Sequence, residues 1–255
     1  MKKTLFIVPL AVCAMAITSC GAPSISREQA LSEYAAIQQA TEQNGVYSAG
    51  PKFTMNATIF QKETLGGAYA TSNTTTTFSA DLNNSYLRMT TNSTVTQNGV
   101  SQTNSLVAYV YAKGETMYSH YEEIQAGQTV ELIHDEVPFD GVTFDNIAYD
   151  LYYTVTSVFD SACHAIMAYL NKLDTAEKLK AAGVSLGSYG PGSLVIEEHV
   201  GASYGGVSQK SDTVIEFKDY KLALMQSEYS TTAAGATKEG KLKYAFDYTK
   251  VDLVY

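Results

Sequence analysis

Cys163 and His164 set a thiol beside an imidazole, the two partners of an activated nucleophile. Neighbours on a helix point about 100° apart, so a small buried residue beside a polar one is the better reading. Gly201-Ala202-Ser203-Tyr204-Gly205 has the Gly-x-Ser-x-Gly form of a hydrolase elbow, but that fold places its histidine after the serine. His120, His134, His164 and His199 all precede Ser203, which leaves a glycine-rich turn. Glu122-Glu123 and His134-Asp135-Glu136 offer oxygen ligands to a hard cation without the spacing of a calcium loop, so solvated edge charges account for them. Ser-x-x-Lys, His-Glu-x-x-His, Walker and Gly-x-Gly-x-x-Gly patterns do not occur. With no set of acid, base and nucleophile, the sequence predicts no catalytic residues, no metal, no cofactor and no enzyme.

One cysteine does carry a chemical signal. Lys2 and Lys3 precede an apolar stretch from Leu5 to Ile17, and Thr18-Ser19 places small residues just before Cys20. That order matches a lipobox, where the precursor is cut and the new N-terminal cysteine is acylated as a thioether. The apolar stretch falls short of the roughly 20 residues that span a bilayer, and Gly21-Ala22-Pro23-Ser24 follow at once. Residues 1–19 are therefore expected to be a lipoprotein signal peptide, 20–25 a tether with lipidated Cys20, and 26–255 a single α+β domain. The predicted location is extracytoplasmic, anchored to a membrane at the cell surface or periplasmic face.

Composition agrees with export and argues against nucleic acid. Removing the leader takes away Lys2 and Lys3, which moves the formal net charge from -9 to -11. Clustered Lys and Arg, which phosphate binding needs, are absent. Of the three cysteines only Cys163 stays a thiol, so packing rather than a disulfide must hold the domain. The 19 tyrosines, with no tryptophan, would suit either a ligand cavity or ordinary strand positions.

The elements that would position any site follow from hydrophobic period. Ser26-Arg27-Glu28-Gln29 has the form of a capping box and opens a helix with Leu31, Tyr34, Ala35 and Gln38 on one stripe, ended by Asn44-Gly45. From Phe53 the period becomes two, with Phe53, Met55, Ala57 and Ile59 alternating with polar residues. Asn98-Gly99 is a strong hairpin signal and fixes a register: Gln97 faces Val100, Leu87 faces Val110, and Met89 faces Ala108. Both faces of that hairpin's base are apolar or aromatic, and its tip is polar. Thr71 to Thr77 is expected to be wet on both sides. Ile147, Leu151, Val155, Val158, Ala162, Ile166 and Tyr169 mark a long amphipathic helix, and Asp174-Thr175-Ala176-Glu177 caps a shorter one. Strands return beyond Pro191-Gly192, and a change of parity between Tyr248 and Val251 predicts a bulge or bend.

Helix, meander, helical insertion and second meander, in that order, resemble the LolA/LppX-like bacterial lipoproteins and lipid carriers. Val110-Tyr111-Ala112-Lys113-Gly114-Glu115-Thr116-Met117-Tyr118 looks like the aromatic-Lys-Gly hairpin common among them, and Leu242 to Tyr255 like their terminal strand. The resemblance implies a large curved antiparallel sheet of about ten strands, a half-barrel, whose concave face is covered by the helical insertion. It further implies an apolar ligand, a lipid, between sheet and lid. Candidate lining residues are Leu87, Met89, Ala108, Val110, Leu151, Val155 and Phe159. An interaction or adhesion module with a filled core is the alternative.

Overall fold

The computed structural model describes residues 21–43 and 49–251, the side chain of Phe159 excepted. Helix α1 spans Arg27–Glu42 and begins as the capping box requires: Ser26 Oγ accepts from the Gln29 amide at 3.2 Å, and Gln29 Oε1 accepts from the Ser26 amide at 2.9 Å. Its buried face is Ala30, Tyr34 and Ile37, spaced by four and three. Ala35 and Gln38, expected on the buried stripe, face solvent. Asn44-Gly45 lies outside the described residues.

Eleven strands form one antiparallel sheet. They are β1 (Lys52–Leu65), β2 (Ala68–Asp81), β3 (Tyr86–Gln97), β4 (Val100–Lys113), β5 (Thr116–Gln125), β6 (Gln128–Pro138), β7 (Val184–Gly187), β8 (Leu194–Tyr204), β9 (Val207–Lys218), β10 (Lys221–Ala233) and β11 (Ala236–Asp247). Their order is β6-β5-β4-β3-β2-β1-β11-β10-β9-β8-β7, so the sheet is two meanders joined where β1 pairs with β11. The sheet is curved and not closed. Between its two edges run α2 (Gly141–Lys172) and α3 (Ala176–Ala181). A flat sheet of this width would measure about 48 Å across, and 32 helical residues reach about 48 Å. On a curved sheet the chord is shorter, so the insertion can carry the chain from one edge to the other.

The register read from Asn98-Gly99 is the observed one, with Leu87 paired to Val110, Met89 to Ala108 and Gln97 to Val100. Both turn residues have positive φ, 48° and 85°, which the twist of a two-residue hairpin demands. The terminal strand is shorter than expected. It stops at Asp247, whose carboxylate accepts from the amide and hydroxyl of Thr249, so the change of parity marks the chain leaving the sheet. Residues 252–255 lie outside the described residues.

In β1, β2, β3, β4, β8 and β9 the buried residues gather at one end and the far end is open, whereas β6 is exposed throughout. Phe53, Met55, Phe78, Ala80, Leu87, Val110, Ile215, Phe217 and Leu222 form one core with Phe144, Ala148, Tyr152, Val155, Ala162, Ile166 and Leu170 of α2. Early in α2 the buried stripe is Phe144, Ala148 and Tyr152, while Ile147 and Leu151 sit half-buried beside it. Tyr152 decides that rotation. Its ring meets Phe53 edge-on at 5.7 Å, and its fully buried hydroxyl accepts from the Ala49 amide at 2.8 Å and donates to the Gly50 carbonyl at 3.2 Å. This pair of bonds ties the insertion to the chain entering β1. Tyr152→Phe leaves both backbone groups buried and unpaired, and should lower the unfolding free energy by about 1–3 kcal/mol in urea titration.

Candidate functional site

The lid and α1 do not close completely on each other. Where α2 passes α1, a groove of about 250 Å³ opens between them. Tyr34 and Ile37 of α1 form its floor with Cys163 and Met167 of α2, while Gln38, Glu42, Asp160 and His164 stand exposed around its mouth. The floor follows from the spacing on both helices: Tyr34 and Ile37 belong to the buried face of α1, and Cys163 and Met167 flank the buried Ala162 and Ile166. The Tyr34 hydroxyl donates to the Cys163 carbonyl at 3.3 Å and holds the two helices at this separation.

Chemically the groove is quiet. Burial pushes the Cys163 thiol up to about 11, away from the thiolate a nucleophile needs. His164 turns its Nδ1 to the Asp160 carbonyl, 2.7 Å away. Burial likewise raises the Tyr34 phenol well above its ordinary range. Two carboxylates, Glu42 and Asp160, border an apolar floor, so the site suits an apolar group and disfavours an anionic head.

Most residues proposed from sequence to line a cavity stand elsewhere. Leu87 and Val110 expose no surface, and Ala108 and Val155 expose 3% and 4%. Such side chains leave no face for a ligand to touch, and one could lie among them only by parting helix from sheet. Met89 and Leu151 are half-buried and pack against the same core. Phe159 lies on α2 with its side chain outside the described residues, and Cys20 is likewise outside them. The groove was hidden in the sequence because it depends on how two helices far apart in the chain sit together.

The tyrosines divide between these roles and the other face of the sheet. Tyr109 stacks on His120 at 4.8 Å and Tyr111 on Tyr118 at 4.9 Å. They alternate with Ala108 and Val110, so these ladders lie on the face turned away from the helices. The Gly-x-Ser-x-Gly segment runs out along β8 into the Gly205-Gly206 turn, where Ser203 Oγ donates to Ser208 Oγ at 3.4 Å, and no helix follows it. Among the described residues no group of three His, Cys, Asp or Glu side chains could hold a metal ion, Glu122 and His134 included.

No family model matches the chain, and no curated protein matches it. Among solved structures it is similar to a β-barrel-like protein of a domain of unknown function from Brucella abortus, at 7% identity and a TM-score of 0.24, over 77% of this chain and 98% of that one. The translocator domain of the autotransporter NalP from Neisseria meningitidis aligns at 6% identity and a TM-score of 0.21, over 86% and 94%. An S-type phycobiliprotein lyase from Guillardia theta aligns at 9% and 0.21, over 87% and 98%. Superpositions this loose support no inference about function, so the groove must be judged on its own chemistry. Its thiol offers a direct check: alkylation of Cys163 by iodoacetamide, followed on its peptide by mass spectrometry, should be slow at pH 8 and quicken about tenfold per pH unit up to about pH 11. A rate that levels off near pH 9 would mean an exposed, ordinary thiol.

Proposed function

We propose that this chain is a membrane-anchored bacterial lipoprotein that binds a small apolar ligand, a lipid chain or similar group, in the groove between α1 and α2. The observation that carries the binding reading is the groove itself, an open space whose floor of Tyr34, Ile37, Cys163 and Met167 is apolar. Its volume lies just below the usual range for ligand pockets, which suits one chain or ring rather than a whole lipid. The acidic mouth, Glu42 and Asp160, selects neutral or cationic amphiphiles over free fatty acids. The anchor reading rests on Lys2-Lys3, the apolar leader and Thr18-Ser19-Cys20. Two acyl chains on Cys20 suffice for stable anchoring, where one does not. The likeness to LolA/LppX-like carriers belongs here too, with local holding in place of shuttling, since an anchored domain cannot leave its membrane.

A second reading has its own observation. Strand β6 is exposed along all 11 residues, with Val130, Leu132, Ile133 and Val137 open to solvent, and it ends the sheet. Such an edge can accept an added strand, and Glu131, Asp135 and Glu136 would favour a basic one. The two readings part on measurement. Protein extracted from its native host should carry a co-purifying neutral lipid by mass spectrometry, and Met167→Trp, which fills the groove, should remove it without unfolding the domain. A wild-type protein free of lipid, with β6 amides whose hydrogen exchange slows on adding a lysine-bearing extended peptide, would favour strand addition. For the anchor, Cys20→Ala should abolish labelling by radioactive palmitate; persistent labelling would refute it.

A further inference from the structure

Residues 22–25, part of the expected tether over 20–25, are bound to the sheet. Ser24 bridges Gly187 of β7 in antiparallel fashion, the Ile25 amide donates to the Leu186 carbonyl at 3.1 Å, and the Ser188 amide donates to the Pro23 carbonyl at 3.0 Å. Ala22 packs so closely on Gly187 that a Cβ there would stand 2.8 Å from its methyl carbon. The chain is thus fixed to the domain up to the last residues before Cys20. From Pro23, three residues of extended chain reach at most about 11 Å, so whatever surface surrounds Pro23 lies within that distance of the acylated cysteine.

That surface is a braced platform. In the loop following β7, the Ser188 hydroxyl donates to the Gly190 carbonyl and accepts from its amide, the Tyr189 amide donates to Ser193 Oγ, and the Gly192 amide donates to Glu33 of α1. Beside it the β9–β10 turn holds Asp219 and Tyr220 at φ of 48° and 63° without a glycine. A bulky residue there is strained, and it is held by its amide donating to the Gly192 carbonyl at 2.9 Å and its ring lying on Gly192. The turn presents Tyr220, 40% exposed, and the loop it is bonded to presents Tyr189, 48% exposed. Lys218, paired with Glu216 at 2.8 Å, extends its exposed ammonium over the Tyr189 ring, and Lys221 reaches over the Tyr248 ring. Tyrosines with an apolar body and a polar tip, flanked by lysines, are the side chains that sit well among lipid head groups.

We propose that the Ser188–Ser193 loop and the Lys218–Lys221 turn form the face that lies on the bilayer, with Tyr189 and Tyr220 at the depth of the head groups and Lys218 and Lys221 among the lipid phosphates. The proposal rests on the acylation of Cys20 put forward above. It turns the long strands away from the membrane: β8 has 11 residues, so Tyr204, 92% exposed at the hairpin tips, stands about 35 Å beyond Leu194.

The chain has no tryptophan, so a single substitution gives a unique reporter. Full-length acylated protein carrying Tyr189→Trp, and separately Tyr204→Trp, is reconstituted into phosphatidylcholine vesicles brominated high on the acyl chain. Fluorescence of the Tyr189→Trp protein should fall at least twofold and that of the Tyr204→Trp protein should not change. On the unmodified sequence, vesicles should slow acetylation of Lys218 and Lys221 several-fold relative to the unanchored Cys20→Ala protein, and leave Lys210 unaffected. Equal quenching at both sites, quenching at the tip alone, or none at all in protein that floats with the vesicles would overturn the orientation and leave the anchor standing. Protein that does not float would overturn both.

Discussion

Everything in this fold depends on the pairing of its first strand with its last. β1 and β11 join residues nearly the whole domain apart, Thr54 with Asp247 through Leu65 with Ala236, and place both ends of the sheet's sequence at its centre. All other strand pairs are hairpin neighbours. Each meander can form locally, but neither has a shared core until this pair closes, and closing it requires ordering the helical insertion at the same time. Long-range pairing of this kind makes for slow folding. It also explains why Phe53 stands at the centre of an aromatic cluster with Phe78, Phe246, Tyr248 and Tyr152: β1 is where both meanders and the lid meet.

The same closure leaves the sheet's edges to β6 and β7, and the chain treats them differently. β7 has four residues and is covered by the pinned segment around Ser24. β6 is long and bare, and the devices that restrain it are chemical: Glu131, Asp135 and Glu136 along its length and Pro138 at its end. The unprotected edge is therefore the one at the opposite side of the sheet from the Ser24 segment.

Much of this was legible because turn chemistry is local. Asn98-Gly99 set a register twelve pairs long, and Ser26 with Gln29 set the start of α1, since each needs only its own backbone geometry. Positions decided by tertiary contact were misjudged or missed. The burial of Tyr152 in place of Leu151 follows from two backbone groups near Ala49 that no helical period can foresee. β7 is too short to show alternation, and the Asp219-Tyr220 turn lacks the glycine that would announce it. Its strain is supported from Gly192, more than twenty residues earlier. The candidate groove is the same case at larger scale: Tyr34 and Cys163 each look like core residues, and only the crossing of their helices leaves space between them.

These features also constrain one another. The segment at Pro23 is tied to the domain's own sheet, so the end that carries Tyr189 and the groove beside α1 keep a fixed relation to each other. Glu33 makes that relation rigid. It lies on α1 among the residues that build the groove's helix, and its carboxylate receives the Gly192 amide at 2.9 Å from the Ser188–Ser193 loop. Arg27, at the start of the same helix, donates to the Leu170 carbonyl near the end of α2 at 3.0 Å. One helix thus joins that loop, the lid and the groove floor. Spreading α1 from α2 would work against both bonds, so the width of the groove is set by helices already held in place.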